Sequence, residues 1–190
     1  MNIKSITNLI FELGQLKRIK HEGWRIIGVD NPETVAAHCL RGAQIGYILA
    51  VMEQYENPYE VVTAVVFKDI GECRIGDVHR TSSRYIKNIK EFEEKAIHEQ
   101  LDEVPFIKKD IYRLWNETDF RKTKMGIIAK DANMLEMAFT AQELVDQGNT
   151  GAAQWRDNFK TVLITKSALA LLEELKVVGS NNWWQKINKM

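Results

Sequence analysis

Apolar residues recur at helical spacing along almost the whole chain, and this repeat limits the fold more than any other feature of the sequence. The pattern begins with Ile3, Ile6, Ile10 and Leu13, and strand-like alternation with Asn-Gly turns is missing. The sequence therefore predicts an all-α fold. We expect helices at 3–19, 33–53, 59–72, 88–103, 107–118, 122–147, 151–163 and 167–177.

The length of the chain limits the number of domains that it can form. It has 190 residues, of which 45% are hydrophobic, and this is enough for one well-buried core but small for two. The sequence has no repeat, low-complexity tract or linker that would divide it. We predict a single domain over 1–178, followed by a C-terminal tail over 179–190.

Charge and cysteine content narrow the possible partners. Lys and Arg total 26, against 26 Asp and Glu, and this balance argues against a nucleic-acid polymer as partner. We expect no membrane partner, because the N-terminus lacks a signal pattern and no uninterrupted apolar stretch approaches the length needed to span a bilayer. Cys39 falls in a predicted helix and Cys73 directly follows one, rather than in a disulfide-style loop, which favours free thiols in a reducing compartment. The sequence thus predicts a cytoplasmic protein.

One carboxylate interrupts the apolar run of the third predicted helix. On a helix, Asp69 shares a face with Val62, Val65 and Val66, so it should project from the buried side. A charge in an apolar interior needs a metal, a cation or several hydrogen-bond donors to compensate it. Asp69 is therefore either a functional ligand or half of a buried ion pair.

Two further polar residues raise the same question on other helices. Asp131 has Ile127, Ile128 and Leu135 at helical neighbour positions, so it too should point inward. His38 follows small alanines that leave room for its ring. Together with Asp69, these side chains could converge on one ion, although spacing alone cannot establish this. From the residues alone, His38 is better explained as an ordinary buried or capping histidine than as a ligand.

Four segments carry motifs that occur together, in this order, in one known family. They are Leu16–Arg18 with Gly23 and Trp24, then Asn31–His38, then Asp69–Glu72 with Ile75–Asp77, then Lys130–Glu136. They resemble the HD-domain metal-dependent phosphohydrolases, in the 5'-deoxynucleotidase-like branch. The resemblance covers most of the chain and implies an HD-domain helical bundle.

The resemblance also implies a divalent-metal site. The family's ligands correspond to His38, position 68, Asp69 and Asp131, and the ion could be cobalt, manganese, zinc, iron or magnesium. This chain has Lys68 where the family has histidine. A protonated lysine has no lone pair to donate to a metal. Three interpretations stay open: a silenced enzyme, a weaker three-ligand site, or an ammonium that supplies part of the metal's charge.

Other residues match the family's catalytic and substrate positions. The resemblance implies that Glu72 transfers a proton and that Asp77 orients the attacking water. It implies a nucleoside 5'-monophosphate substrate, with Trp24 stacking near the sugar and base. Phosphate or ribose contacts would come from Arg18, Arg25 or Arg80.

Alternatives to these assignments stay open. Trp24 could be a packing residue at the rim, and Glu72 could form a surface pair with Lys68 at i and i+4. His21 is expected at the surface. Two-fold homodimers are usual in the family, and Trp183 could contribute to such a contact.

The first functional hypothesis is a metal-dependent phosphohydrolase that releases phosphate from (deoxy)nucleoside monophosphates. The alternative is an impaired nucleotide-binding or scaffolding protein, because Lys68 replaces a ligand. A weaker third hypothesis is a regulator that binds a phosphorylated messenger.

Overall fold

The computed structural model describes residues 1–185 and 187, and helices dominate it. The α-helices are α1 Ile3–Leu13, α2 Val35–Met52, α3 Pro58–Phe67, α4 Glu72–Ile75, α5 Arg80–Ser83, α6 Ile89–Asp102, α7 Pro105–Asp119, α8 Lys124–Asp146, α9 Gly151–Asn158, α10 Lys166–Val178 and α11 Asn182–Gln185. Short 3-10 helices cover Gly14–Lys17, Glu22–Ile27 and Phe159–Thr161. Within this part of the chain the only β-type pairing is an isolated bridge between Lys20 and Thr34. The all-α prediction is confirmed.

The third predicted helix, 59–72, does not run without a break. Helix α3 begins with Pro58, whose fixed φ suits a first helical position, and it ends at Phe67. Residues 68–71 form a turn, and α4 then covers Glu72–Ile75. Asp69 therefore lies in a turn between two helices rather than within one.

The main core lies between α2, α3, α8 and α10. In the described part of the chain, α2 is the one helix that is long and apolar enough to cross a membrane, by length and composition alone. No apolar stretch of this length was expected from the sequence. Here α2 packs against α3 and α8, and eight of its residues are buried. The buried face of α2 accounts for part of its apolar composition, and its outer face carries further apolar residues that are exposed.

A second core joins α1 to the pair formed by α6 and α7. Helix α7 passes close to the start of α8, where Gly126 lies in the first turn. A Cβ at Gly126 would overlap the backbone carbonyl oxygen of Glu117, so the close contact between these helices requires glycine. The side chain of Thr123 caps α8 by accepting a hydrogen bond from the Gly126 N–H, at 3.1 Å.

The predicted division at residue 178 coincides with the end of α10, although a separate tail stays a prediction. Beyond it, α11 is short, and Trp183 is 71% exposed. Of the predicted tail, residues 186 and 188–190 lie outside the described residues.

Candidate functional site

A cavity of about 620 Å³ opens between the C-terminal end of α3, the N-terminal half of α2 and one face of α8. This volume is in the range of small-molecule sites. Predicted site residues form part of its wall, namely His38, Lys68, Asp69, Glu72, Asp77 and Arg80. Residues that were not predicted also line it, among them His21, Lys90, Glu93, Asp119, Lys130 and Asn133.

His38 lies one turn into α2 and is 2% exposed. Its Nδ1 pairs with Oε2 of Glu136, and its Nε2 lies 2.7 Å from Oδ1 of Asn133. Arg41 holds Glu136 from the other side, with 2.9 Å between Nε and Oε1. A carboxylate that binds one ring nitrogen fixes the direction of the other. The imidazole therefore presents Nε2 to Asn133 and the cavity.

Lys68 and Asp69 form an ion pair in the turn after α3. The ammonium of Lys68 donates to Oδ2 of Asp69, and the Cys39 thiol donates to the same oxygen at 3.3 Å. Burial opposes ionisation, but Lys68 and His38 hold the pKa of Asp69 well below its usual range. Burial likewise opposes the charge on Lys68, but neighbouring acidic groups, Asp69 foremost among them, more than offset it, so the pKa of Lys68 is raised.

Glu72, the first residue of α4, and Asp77, which lies just beyond its end, both line the cavity but have different surroundings. Burial, together with the charges of Asp69 and Asp77, raises the pKa of Glu72 well above its usual value. Oε2 of Glu72 is buried and has no hydrogen-bond partner among the residues that the structure describes. Asp77 instead accepts a hydrogen bond from the Glu22 backbone N–H, at 2.6 Å. Glu72 is therefore suited to donate a proton, whereas Asp77 is held as an acceptor.

Two lysines of the cavity wall share one carboxylate. Nζ of Lys90 and Nζ of Lys130 each lie 2.9 Å from Oδ1 of Asp119, and Lys90 also binds Glu93 at 2.8 Å. Arg80 opens α5 on the same wall and has no ion pair with any residue of the described ranges. Arg80 is thus a cation that no carboxylate of the wall has neutralised.

The structure does not bring Asp131 to the cavity, which corrects its assignment as a metal ligand. Asp131 is fully buried, as its helical neighbours indicated. However, its Oδ2 accepts hydrogen bonds from the backbone N–H groups of Ile164 and Thr165, at 2.9 and 2.6 Å. Its Oδ1 lies 3.2 Å from Nη1 of Arg121. The carboxylate is satisfied where α8 meets the start of α10, on a different face of α8 from Asn133.

Three of the predicted substrate residues also lie away from the cavity wall. Trp24 is 2% exposed, and its ring packs against Trp155 with 5.3 Å between centroids. Trp24 is a packing residue, and it lies in the core rather than at the rim. Arg18 is exposed and does not line the cavity. Arg25 binds Glu22 at 2.6 Å in a neighbouring groove.

His21 and Asn133 are cavity residues that the sequence analysis missed. The bridge between Lys20 and Thr34 places His21 beside α2, and its ring centroid is 4.6 Å from that of His38. Burial opposes protonation, but Glu33 and Asp77 raise the pKa of His21. Position 133 lies three residues after Lys130, on the same helical face, so the helical repeat could have identified Asn133 once Lys130 was known to face the cavity.

The predicted metal position does not fit a resident divalent ion. The donors available there are Nε2 of His38, the carboxylate of Asp69 and Oδ1 of Asn133. The ammonium of Lys68 already donates to Asp69, and it has no lone pair for a metal. A cation placed against Asp69 would therefore meet a second positive charge inside the wall.

A different group has the residue types for metal binding. His21, Glu33 and His38 each offer a ligand atom, and these atoms lie within 4.8 Å of one another. Nδ1 of His21 is 3.4 Å from Oε1 of Glu33. In this arrangement both nitrogens of His38 are already paired, so metal binding here would require the His38 ring to give up one of these partners.

Known proteins resemble this chain in sequence and in structure. It is 28% identical to the 5'-deoxynucleotidase HDDC2 of Bos taurus over 138 residues, which are 72% of this chain and 66% of that protein. It is 28% identical to the 5'-deoxynucleotidase HDDC2 of Xenopus laevis over 142 residues, or 74% of this chain and 69% of that protein. The chain thus spans about two thirds of the length of these relatives.

A solved structure of a conserved hypothetical protein from Pyrococcus furiosus matches with a TM-score of 0.73 and 28% identity. The match covers 90% of this chain and 98% of that one. The family model described as HD domain matches residues 13–174, a range that includes every residue of the cavity wall named above. The chain therefore belongs to the HD domain family, whose phosphohydrolases are metal-dependent.

Proposed function

We propose that this chain is a phosphohydrolase of the 5'-deoxynucleotidase type, which binds a nucleoside 5'-monophosphate in the cavity and releases its phosphate. The observation that carries the proposal is the convergence of a proton donor, a held acceptor and cations on one cavity, namely Glu72, Asp77, Lys68 and Arg80. Curated relatives at 28% identity are 5'-deoxynucleotidases, and this supports the same reaction class here.

In this proposal the acids divide the proton transfers between them. One oxygen of Asp77 accepts a hydrogen bond from the Glu22 N–H. Its other oxygen can orient a water toward phosphorus and accept the proton that this water loses as it attacks. Glu72 has a raised pKa and therefore holds a proton that it can give to the departing nucleoside oxygen. Cations of the wall offset charge that develops on the phosphoryl oxygens. In the family, a bound metal supplies such charge and activates the water.

A second candidate function is nucleotide binding without turnover. It is favoured by the contact between Lys68 and Asp69, because this pair occupies a carboxylate that a metal-dependent hydrolase would need for its ion. Such a protein would retain the cavity and its cations while hydrolysis is lost.

One experiment separates these functions. Phosphate release would be measured from a panel of deoxynucleoside and ribonucleoside 5'-monophosphates, with manganese, cobalt, magnesium or a chelator, alongside direct nucleotide binding. The proposal expects phosphate release that is lost in Asp69→Asn and in Glu72→Gln. Nucleotide binding without phosphate release would favour the second candidate function. If neither nucleotide binding nor phosphate release were observed, both candidate functions would be overturned.

Asp110→Asn is the matched control for the aspartate variant. Asp110 is exposed on α7, outside the cavity wall, so this change should leave release and binding at parental levels. Asp69→Asn keeps the size of the side chain and an oxygen acceptor. Circular dichroism of each variant would establish that a loss of activity does not reflect unfolding.

We also infer a homodimer, as in the prediction from the sequence. Apolar side chains on the outer side of α2 are exposed, with Leu40 at 63%, Ile48 at 51% and Val51 at 53%. Burying such a patch in a two-fold contact would be favourable. Sedimentation equilibrium should give twice the mass of the chain, and a monomer at micromolar concentration would contradict the inference.

A further inference from the structure

The ammonium of Lys68 has an unusual position for a lysine. Its side chain is only 8% exposed, yet it lines the cavity. Lysine ammonium groups are rarely buried to this extent unless their charge and their donors are matched. Asp69 matches the charge, and the turn after α3 holds both groups against the cavity.

The donors of this ammonium are only partly matched. A protonated lysine carries three N–H donors, and within residues 1–185 and 187 the one hydrogen bond from Nζ goes to Asp69. The other cavity lysines differ, because Lys90 and Lys130 both bind Asp119. Lys68 therefore retains donors for a ligand.

We propose that Lys68 is the phosphate-binding cation of this cavity, and that a phosphate monoester is recognised here without a divalent metal. The inference rests on the proposed function, which it deepens by replacing the family's metal with a side chain. Lysine binds phosphate as a point charge with several donors. Asp69 acts as a positioning residue that holds the ammonium, and Arg80 supplies a second cation on the same wall.

The direct test is equilibrium binding of inorganic phosphate and of dAMP by calorimetry, in EDTA and again with manganese. The parent protein should bind dAMP in EDTA, with an affinity that manganese does not raise. Lys68→Met removes the charge and the donors but keeps an unbranched side chain. It should weaken binding by about tenfold or more, since a hydrogen bond to a charged group contributes at least this factor.

Two further variants keep the test decisive. Lys68→Met leaves Asp69 buried without its cation and could unfold the protein, so Lys68→Met with Asp69→Asn removes both charges and should show the same loss of binding. Lys95→Met is the control, because Lys95 is a 73% exposed lysine of α6 that pairs with Glu99 and does not line the cavity. This control should bind phosphate and dAMP like the parent.

The outcomes separate this inference from the proposed function. Binding of dAMP only after manganese is added would overturn the role of Lys68 and leave the proposed function standing. If the folded variant with Lys68→Met and Asp69→Asn bound dAMP as tightly as the parent, the role of Lys68 would likewise be overturned and the proposed function would stand. No binding of dAMP with or without manganese would overturn both. Metal analysis of the purified protein adds an independent readout, because stoichiometric metal bound at the cavity would contradict the inference.

Discussion

Two polar residues of α8, only two positions apart, lie in different surroundings. Asn133 faces the cavity and contacts His38, whereas Asp131 is sealed against the start of α10 by two backbone N–H groups and Arg121. Residues at i and i+2 on a helix point to different sides. The comparison teaches that the charged member of this pair serves the packing of the fold, and the uncharged member serves the cavity.

The largest effect should come from Trp24, which packs with Ala141 on the C-terminal half of α8. Trp24→Ala removes a large buried ring and should lower the free energy of unfolding by about 4 kcal/mol. Urea denaturation would measure this, with Trp24→Phe as a milder control. Affinity for dAMP per folded molecule should not change. If Trp24→Ala weakened dAMP binding without lowering the free energy of unfolding, Trp24 would instead be a ligand-binding residue.

Asp131→Ala should have the next largest effect. It leaves the N–H groups of Ile164 and Thr165 and the guanidinium of Arg121 without their acceptor, at a cost of about 3 kcal/mol. Asp131→Asn keeps one oxygen acceptor and should cost less. Urea denaturation would measure the change in the free energy of unfolding for both variants. If Asp131→Ala reduced metal content or activity at parental stability, the contrast with Asn133 would be wrong.

Two substitutions at the cavity wall, one of them on α8, should increase metal binding. Lys68→His with Asn133→Asp would place two imidazoles and two carboxylates around one point, together with His38 and Asp69, and remove the competing ammonium. Metal content after purification, measured by mass spectrometry, should rise above that of the parent and of Lys68→His alone. A double variant that folds but stays free of metal would show that these side chains do not converge.

A smaller effect concerns pH. Burial opposes ionisation, but Lys130 and Lys90 hold the pKa of Asp119 below its ordinary value. A folded pKa below the unfolded value of about 3.9 means that Asp119 stabilises the fold above that pH, and that this contribution is lost as pH falls through the folded pKa. Asp119→Asn should therefore lose less stability than the parent between about pH 5 and about pH 2.

Urea denaturation across this pH range would check the prediction for Asp119. Asp110→Asn, on the exposed side of the same helix, is its control and should follow the parent. An Asp119→Asn profile parallel to that of the parent would mean that the two lysines do not act on this carboxylate.

The helical repeat predicts most of the fold because each buried face is encoded locally. It also predicts correctly that Asp131 is buried. It cannot identify the two partners of Asp131 at the start of α10, since these are backbone N–H groups more than thirty residues away, and every residue type except proline carries such a donor. The repeat likewise predicts α3 but extends it through Asp69, because the first and last residues of the turn, Lys68 and Gly71, have helical dihedral angles although the regular helix has ended.

The site was harder to predict than the fold for a related reason. One cavity is lined by His38, Lys68, Asp69, Glu72 and Asp77, and most of these residues lie close together in sequence, around the turn after α3. His21 depends instead on a single bridge to the segment before α2. Such a contact leaves no periodic pattern in the sequence.

Gly126 influences the geometry of the cavity although it does not line it. It lies outside the cavity wall, yet it sets how closely α7 approaches the first turn of α8. Asp119 ends α7, and Lys130 follows Gly126 by one helical turn, so the spacing of this ion pair is determined at a position that contacts no ligand. Replacing Gly126 with alanine to strengthen the helix would widen the wall, and engineering for thermostability should therefore leave this position unchanged.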